Sequence, residues 1–272
     1  MNISIYGGTG FIGGTFCRLY PDEVTCIERD ARAPKTNNIL YLISTTSNYN
    51  VLESTRLDVD VNLVVLMEVL AECKKKDIVF NYVSSGFVYG NDIIDAKEND
   101  PCNPKGFYSI TKYAAEKLLI SFCETFDVKY RILRLANVYG TEDAETSGKK
   151  NALGFLMNLL KENKDVSLYD GGDVLRDYLH VEDVCRGLKL VLEKGELNSI
   201  YNVASGKAEK FYDIIKFAKD HLNSESEIKP IEAPEFYQKV QAKNFSVNVD
   251  KFKALGFEEK FSIQEGIKQL CR

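Results

Sequence analysis

The chain has 272 residues, of which 44% are hydrophobic and 28% are charged, and its formal net charge is −5. This length suits one large α/β unit or two closely joined domains, with enough apolar residues for a substantial core. The negative charge argues against general binding to nucleic acid or anionic membranes, and no stretch is apolar for long enough to span a bilayer.

Short β-rich runs alternate with longer helical patterns, which is typical of stacked β–α–β units and predicts an α/β fold with a parallel sheet. The predicted strands are 2–6, 24–28, 39–43, 78–83, 130–135 and 200–203. The predicted helices are about 11–19, 58–75, 107–126, 150–163, 181–193 and 210–221. Because each strand is rich in Ile, Val, Leu or Tyr, we expect all six to be buried on both faces of the sheet.

The first predicted strand leads at once into a glycine-rich turn and a helix. Gly8, Gly10 and Gly13 have the spacing G-x-G-x-x-G, while Gly7, Gly10 and Gly13 also fit G-x-x-G-x-x-G. Such a turn lets the backbone approach a diphosphate closely, and the free N–H groups of the following helix attract negative charge. The alternative is a tight turn without a ligand.

The second predicted strand ends in Glu28, twenty positions after Gly8. A carboxylate there can accept hydrogen bonds from the ribose hydroxyls of a dinucleotide, so this spacing supports dinucleotide binding. Glu28 favours NAD, because a carboxylate repels the 2′-phosphate of NADP. Arg29 and Arg32 are close enough in sequence to leave NADP open.

Tyr108 and Lys112 are four residues apart in a predicted helix and therefore share one face. A tyrosine hydroxyl, with a pKa of about 10, is a poor base at neutral pH, but a neighbouring ammonium lowers that pKa. Tyr108 can then take a proton from a substrate hydroxyl or give one to a carbonyl, and Lys112 can also hold the cofactor ribose. The alternative is that Tyr108 and Lys112 are simply two neighbouring residues on the surface of a helix, without a catalytic role.

Ser84 and Ser85 follow the predicted strand 78–83, at the end where open α/β sheets bind ligands. A serine hydroxyl at this position can hydrogen-bond the oxygen atom that reacts. The alternative is that these serines cap a turn or a helix.

Seven segments of the sequence have to be considered together: the glycine turn, SSGFVYG, NPKGFYSITKYAAEKL, RLANVYG, RDYLHVEDV, YNVASG and LGFEEKFSIQEGI. In this combination the chain resembles the extended short-chain dehydrogenases/reductases, specifically the NAD-dependent epimerase/dehydratase family that acts on nucleotide sugars. The resemblance implies a Rossmann-type, doubly wound parallel sheet with a smaller C-terminal substrate-binding domain. The implied dinucleotide-binding domain is 1–142 plus 175–203, and the substrate-binding domain is 143–174 plus 204–272.

The resemblance also implies roles for individual residues. It makes Ser85, Tyr108 and Lys112 the catalytic triad. The implied cofactor-binding residues are Gly7, Gly10, Phe11, Ile12, Glu28, Thr45, Asn62, Tyr108 and Lys112, with NAD as the cofactor and NADP not excluded. The implied substrate-binding residues are Ser85, Asn137 and Arg176, the last two for the diphosphate, and His180 belongs to a structural turn. No metal is expected.

The sequence departs from the family pattern at several places. Residues 29–38 are too few for the usual third strand, whose Asp meets the adenine. Ser85-Gly86-Phe87 stands where the sugar 4,6-dehydratases have Thr-Asp-Glu, so we do not expect elimination of water. The segment NVYGTEDAE offers no His for 3,5-epimerisation, and Lys239 or Lys243 replaces the Arg of the usual RPGD motif.

These observations leave three functions open. The first is a nucleotide-sugar 4-epimerase, which oxidises C4 by hydride transfer to NAD and reduces the ketone again from its other face. The second is a reductase or dehydrogenase for a nucleotide 4-keto sugar with an exchangeable cofactor, which the short chain and missing third strand favour. The third is a non-catalytic dinucleotide sensor, against which the intact triad argues.

The predicted helices 58–75 and 107–126 are apolar around most of their circumference. One apolar face covers the sheet, and the other suggests a homodimer interface formed by these two helices. The alternative is that the chain's own C-terminal segment covers the second face.

The seven cysteines are scattered and include no C-x-x-C pair, so we expect reduced thiols that serve as small core residues. Only two histidines, His180 and His221, are present, which argues against a His-rich metal site or a His-based nucleophile relay. The N-terminus has no basic segment followed by an apolar one, and we expect a cytoplasmic protein.

Overall fold

The computed structural model describes residues 1–74, 77–141, 152–241 and 243–272. Its strands are β1 (Ile3–Tyr6), β2 (Val24–Cys26), β3 (Asn38–Tyr41), β4 (Val79–Ser85), β5 (Ile93–Ala96), β6 (Lys129–Leu135), β7 (Asn137–Tyr139), β8 (Val166–Tyr169), β9 (Leu175–Arg176), β10 (Tyr178–His180), β11 (Ser199–Val203), β12 (Glu209–Lys210), β13 (Ile228–Ile231) and β14 (Phe245–Val247). Its α-helices are α1 (Phe11–Leu19), α2 (Leu57–Val59), α3 (Val65–Ala71), α4 (Phe107–Phe126), α5 (Ala152–Lys161), α6 (Val181–Lys194), α7 (Phe211–Leu222), α8 (Glu235–Val240), α9 (Asp250–Lys253) and α10 (Ile263–Leu270). A π-helical turn, Asp60–Val64, joins α2 to α3.

The central sheet contains six strands in the order β11-β6-β4-β3-β1-β2, and every neighbouring pair is parallel. The chain winds outward from β1 to β2 on one side and from β3 through β4 and β6 to β11 on the other. This order confirms the predicted parallel, doubly wound α/β fold. It also places the switch point of the winding between β1 and β3, where such sheets bind ligands at the carboxyl ends of their strands.

β2 differs from the expectation that all six strands are buried on both faces. It pairs only with β1, and its residues are partly exposed or, at Cys26, exposed. Residues 27–37 contain no further strand, as the short sequence between β2 and β3 predicts. β2 is therefore the edge of the sheet, which explains why its residues remain in contact with solvent.

Three tyrosines form a row across one face of the sheet. Tyr6, Tyr41 and Tyr82 are neighbours in register on β1, β3 and β4, and each is at most 1% exposed. The ring centroids of Tyr6 and Tyr41 are 5.7 Å apart, and those of Tyr41 and Tyr82 are 6.0 Å apart. Burial raises the pKa of all three hydroxyls, so they are uncharged at neutral pH. This row lies in the core beneath α3 and α4.

Beyond the central sheet, the described residues form three smaller sheets, β10-β7, β12-β9-β14-β5 and β13-β8, and a core between α5, α7 and α10. β5 lies inside the predicted dinucleotide-binding domain but pairs with β14, so the two parts share a sheet. The predicted domain division remains a prediction, and its boundary at 142/143 lies outside the described residues.

The second apolar face of α2, α3 and α4 is open to solvent. Leu57, Val59, Val64, Met67, Ile110 and Leu118 are each at least 38% exposed, whereas Leu66, Val69, Leu119 and Phe122 pack on the sheet. The alternative that the C-terminal segment covers this face is therefore wrong for these residues. Among the described residues, no helix is both long and apolar enough to cross a membrane.

Candidate active site

Two positions of the glycine turn between β1 and α1 can hold no residue larger than glycine. Gly7 has a φ of +83°, and a Cβ there would lie 3.2 Å from the backbone nitrogen of Ile43. A Cβ on Gly13 would lie 2.1 Å from the carbonyl oxygen of Gly7. The backbone N–H of Gly10 donates to the same oxygen at 3.1 Å. The turn is therefore tight, and its backbone can be approached closely from outside.

The first turn of α1 leaves its N–H groups available to a ligand. Gly10 occupies the N-cap position and offers no side-chain cap, and the first turn carries no acidic residue. Phe11 and Ile12 are only partly buried there. A helix end of this kind accepts a phosphate through N–H donors and the positive end of the helix dipole. The glycine turn and the helix end together fit the diphosphate of a dinucleotide.

Glu28 is exposed two residues beyond the end of β2, as required of a residue that would meet an adenosine ribose. Arg32 is engaged elsewhere, because its Nε donates to Glu68 Oε2 at 2.6 Å and one Nη donates to the carbonyl oxygen of Arg29. The contact to Glu68 holds Arg32 against α3. The preference for NAD over NADP at Glu28 remains a prediction.

Asn62 connects three segments around the site. Its Oδ1 accepts from the backbone N–H of Thr45 at 2.8 Å, and its Nδ2 donates to the hydroxyls of Thr45 and Thr111 at 2.8 and 2.9 Å. Asn62 is 1% exposed and belongs to the π-helical turn. The hydrogen bonds fix the loop after β3 and the first turns of α4. A direct role of Thr45 and Asn62 in cofactor binding remains a prediction.

Ser85 and Tyr108 come together at the carboxyl end of β4. Ser85 is the last residue of this strand and 6% exposed, and its Oγ accepts from the backbone N–H of Phe87 at 3.2 Å. Tyr108 is partly exposed in the first turn of α4. Burial raises the pKa of Tyr108, while a side-chain hydrogen bond with Ser85 lowers it. Ser85 thus caps a turn and also contacts the tyrosine hydroxyl.

Lys112 lies one turn after Tyr108 and is 1% exposed. Its Nζ donates to the carbonyl oxygen of Val83 at 2.7 Å and lies 4.3 Å from the ring centroid of Tyr82. Burial lowers the pKa of Lys112 to about 7, against the opposing effect of the Glu116 carboxylate. The proton of Lys112 is therefore held only weakly near neutral pH, and the pKa of Tyr108 is raised rather than lowered, contrary to the expectation for a tyrosine beside an ammonium.

Ser84 has a different function from Ser85. Its hydroxyl donates to Glu116 Oε1 at 2.5 Å, and Arg134 donates to both oxygens of the same carboxylate at 3.0 and 2.7 Å. All three side chains are at most 3% exposed. The group fastens α4 to β4 and β6 and so fixes the positions of Tyr108 and Lys112. The expected alternative for the two serines, capping of a turn or a helix, holds for Ser85, whereas Ser84 instead anchors α4 through Glu116.

Two buried polar residues beside the site were not predicted from the sequence. Asp58 is 1% exposed, its Oδ1 accepts from Asn50 at 3.1 Å, and its Oδ2 has no hydrogen-bond partner in the described residues. The charge of Asp58 raises the pKa of Tyr108. Asn48 also has an unpartnered oxygen, and its Nδ2 donates to the carbonyl oxygen of Val240. Neither residue has a spacing that marks it.

The predicted substrate-binding residues lie on the C-terminal side. Asn137 donates through Nδ2 to the carbonyl oxygen of Asp177 at 2.9 Å. Arg176 donates to the carbonyl oxygen of Leu175 at 2.9 Å and to the hydroxyl of Tyr237 at 3.4 Å. Both side chains are partly exposed. Their contact with a diphosphate remains a prediction.

Helix α8, called here the α8 strap, bridges the two sides. Its Val240 accepts the hydrogen bond from Asn48, its Tyr237 meets Arg176, and the rings of Phe236 and Tyr49 are 5.2 Å apart. None of the residues of α8 is buried. His180, by comparison, caps the N-terminus of α6 through Nδ1, in agreement with a structural role.

Comparison with known proteins gives consistent matches. The model of the NAD dependent epimerase/dehydratase family matches residues 47–204. A putative UDP-glucose 4-epimerase of Methanocaldococcus jannaschii is 27% identical over 81% of this chain and 71% of the relative. The ADP-L-glycero-D-manno-heptose-6-epimerase of Brachyspira hyodysenteriae is 25% identical over 98% of this chain and 96% of the relative. The UDP-glucose 4-epimerase of Thermotoga maritima with UDP-glucose superposes with a TM-score of 0.88 at 23% identity, over 100% of this chain and 97% of the other.

Proposed function

The chain belongs to the NAD-dependent epimerase/dehydratase family, and from its site we propose that it is a nucleotide-sugar 4-epimerase. The family consists of NAD-dependent enzymes that act on nucleotide sugars, so the non-catalytic alternative is not retained. The relative from Methanocaldococcus jannaschii, named a putative UDP-glucose 4-epimerase, supports the more specific assignment.

The observation that carries the proposal is the grouping of Ser85, Tyr108 and Lys112 at the carboxyl end of β4. A hydroxyl that hydrogen-bonds the tyrosine, and a buried ammonium one turn away, are what proton transfer at a carbinol or carbonyl oxygen requires. The glycine turn and the N-terminus of α1, which has no side-chain cap, can bind the diphosphate of the dinucleotide.

Packing around Gly86 supports epimerisation over elimination of water. A Cβ on Gly86 would lie 2.4 Å from the ring of Phe245, and the rings of Phe87 and Phe245 are 4.9 Å apart. These positions correspond, by the family resemblance, to the acid pair of the dehydratases. Gly86 and Phe87 carry no carboxyl group, and a side chain at position 86 would collide with Phe245, so these two positions supply no general acid for elimination.

In the proposed mechanism, Tyr108 takes the proton of the C4 hydroxyl and Ser85 hydrogen-bonds the same oxygen. NAD, when bound, would supply a hydride acceptor and donor at C4. Burial raises the pKa of Tyr108, so its loss of a proton would depend on the positive charge of the Lys112 ammonium and of the oxidised nicotinamide of bound NAD. Tyr108 then gives the proton back to the ketone oxygen after the sugar has presented its other face. Asn137 and Arg176 would hold the diphosphate while the sugar turns.

A second candidate is a reductase for a nucleotide 4-keto sugar. The observation in its favour is the edge position of β2, which leaves Glu28 exposed and no strand beyond it in residues 27–37. A cofactor whose adenosine is less enclosed by the protein dissociates more readily. A one-way reductase depends on this exchange of spent for fresh cofactor.

One assay separates the two candidates. The purified protein is incubated with UDP-, GDP-, CDP- and dTDP-hexoses without added cofactor, and the products are resolved by chromatography. An epimerase converts one C4 epimer to an equilibrium mixture of both, because its dinucleotide is regenerated in place. Stoichiometric consumption of NADH or NADPH with a 4-keto sugar, and no epimer without it, would overturn the epimerase proposal.

We also propose that the open apolar face of α2, α3 and α4 forms a homodimer interface. It presents large apolar side chains on adjacent helices, which is typical of a subunit contact. The molar mass in solution measured by light scattering tests this proposal. The variant Ile110→Asp should be a monomer, and a wild-type protein that is monomeric at high concentration would contradict the interface.

A further inference from the structure

Two cysteine side chains meet beneath the glycine turn. Cys17 is on α1 and Cys26 is the last residue of β2, and their Sγ atoms are 3.1 Å apart. The expectation that the cysteines are small core residues is wrong for Cys26, which is exposed at the sheet edge, whereas Cys17 packs against the core. A disulfide bond is about 2.05 Å long, so the sulfurs need to approach by only about 1 Å to form one.

The two thiols have unequal access to solvent. Cys26 is exposed and Cys17 is partly buried. Burial, with a further contribution from the hydrogen bond to Cys26, raises the pKa of Cys17 to about 12. A dissolved oxidant therefore meets Cys26 first, and Cys17 is placed to resolve the product. This division between an accessible and a resolving thiol is typical of redox-active cysteine pairs.

The pair lies directly against the turn that the dinucleotide would occupy. A Cβ on Gly8 would lie 3.0 Å from the Sγ of Cys26 and 3.4 Å from the Sγ of Cys17. Both sulfurs thus pack beneath Gly8. Cys26 is also two residues before Glu28, the candidate ribose contact. A contraction between the sulfurs would move the end of β2 toward α1 and disturb the turn above them.

We propose that Cys17 and Cys26 are a redox modification site, at which hydrogen peroxide forms an intramolecular disulfide that weakens NAD binding. The Cys26 thiolate attacks one oxygen of the peroxide, the O–O bond breaks and hydroxide leaves, which gives a sulfenic acid. The Cys17 sulfur attacks the sulfur of that sulfenic acid, the S–O bond breaks, and water leaves with the Cys17 proton. Two thiols and one peroxide thus give one disulfide and two waters.

The disulfide itself is independent of the proposed function, whereas its effect on NAD rests on the proposed dinucleotide site. The full chain is treated with stoichiometric hydrogen peroxide, and intact mass and peptide mapping are measured before and after reduction with dithiothreitol. We expect a loss of about 2 Da and one Cys17–Cys26 cross-linked peptide, both reversed by the reductant. Absence of that peptide, with sulfinic acid or mixed products at Cys26 instead, would contradict the proposal that Cys17 and Cys26 form a disulfide.

The functional half of the proposal is measured by titrating NAD into the reduced and oxidised proteins. We expect affinity at least about fivefold weaker after oxidation and full recovery after reduction. Cys26→Ser should abolish the peroxide response, whereas Cys102→Ser, whose thiol is outside the pair, should keep it. Equal affinity in both redox states would refute control of binding, although the disulfide had formed. A reduced protein that binds no NAD would instead contradict the dinucleotide site.

Discussion

The candidate residues Ser85, Tyr108 and Lys112, called here the catalytic edge, and the α8 strap are held in opposite ways. Lys112 and Ser85 are nearly completely buried, and short hydrogen bonds tie Lys112 to β4 and the adjoining Glu116 to β4 and β6. α8 has no buried residue, and two of its contacts are hydrogen bonds of 3.4 Å. The difference indicates that the core holds the candidate catalytic residues rigidly, whereas α8 is an exposed and weakly attached element.

The largest loss of activity is expected for Tyr108→Phe, which removes only the tyrosine hydroxyl from the catalytic edge. Because general acid–base catalysis typically contributes about 10²–10⁴-fold, we expect kcat to fall by that factor while the Kd for NAD changes less than about twofold. Turnover with the nucleotide sugar and NAD titration measure the two effects. Tyr113→Phe, on the same helix, is the matched control and should be near wild type. Retention of most of the activity would refute the proton-transfer role of Tyr108.

A second variant tests how rigid the dinucleotide turn is. Gly13→Ala places a Cβ 2.1 Å from the carbonyl oxygen of Gly7, so the turn must shift. Overpacking of this kind costs about 1–3 kcal/mol, and we expect NAD affinity to fall about 10- to 100-fold. Gly14→Ala is the control, because its Cβ would meet nothing closer than 3.8 Å. Equal affinities of the two variants would show that the turn adapts.

The buried ammonium predicts a pH dependence of stability. Burial lowers the pKa of Lys112 from 10.5 to about 7, so between these values the unfolded chain binds more protons than the folded one. Its contribution to the free energy of unfolding therefore rises with pH over that window and is constant outside it. We expect Lys112→Met to be more stable than wild type near pH 6.5 and this advantage to shrink toward pH 10. Urea denaturation at several pH values measures it. An advantage independent of pH would show that the pKa of Lys112 is the same in the folded and unfolded chain, so that burial does not lower it.

The smallest effect is expected at the strap. Tyr237→Phe removes a partly exposed hydrogen bond to Arg176, worth roughly 0.5 kcal/mol, so we expect the KM for the nucleotide sugar to rise about two- to threefold with kcat unchanged. Tyr212→Phe, which removes the same hydroxyl from a tyrosine on α7, is the control. A loss of kcat comparable with that of Tyr108→Phe would show that the strap belongs to the catalytic edge, and the contrast between the two regions would be lost.

The central sheet could be predicted because its strands are rich in β-branched, aromatic and leucine residues. The small strands could not, since β9 and β12 are two residues long, and β9 is held by its pairing with β12 and β14. α8 was missed for a similar reason. Its six residues are too few to show a helical apolar pattern, and it packs on the loop around Asn48 and on Arg176 through a few polar and aromatic contacts.

Prediction from sequence reaches the same limit at the candidate site, where some residues carry a recognisable pattern and others do not. Ser85, Tyr108 and Lys112 could be found because four-residue spacing and the position at a strand end carry chemical meaning. Asp58 has neither, and its influence on Tyr108 arises only from folding α2 against α4. Without the family resemblance, which selects Ser85, this residue could not be told apart from Ser84, since the pleat of β4 decides which hydroxyl points toward Glu116 and which toward Tyr108.

The tyrosine row gives the protein an optical signal of its own. The chain has no tryptophan, so its ultraviolet emission comes from tyrosine. The row of Tyr6, Tyr41 and Tyr82 ends beneath the ammonium of Lys112, next to the catalytic edge. Tyrosine emission overlaps the absorption band of a reduced nicotinamide, which can take up the excitation energy through space. Quenching of native fluorescence therefore reports how much of the protein carries reduced dinucleotide, without any added label.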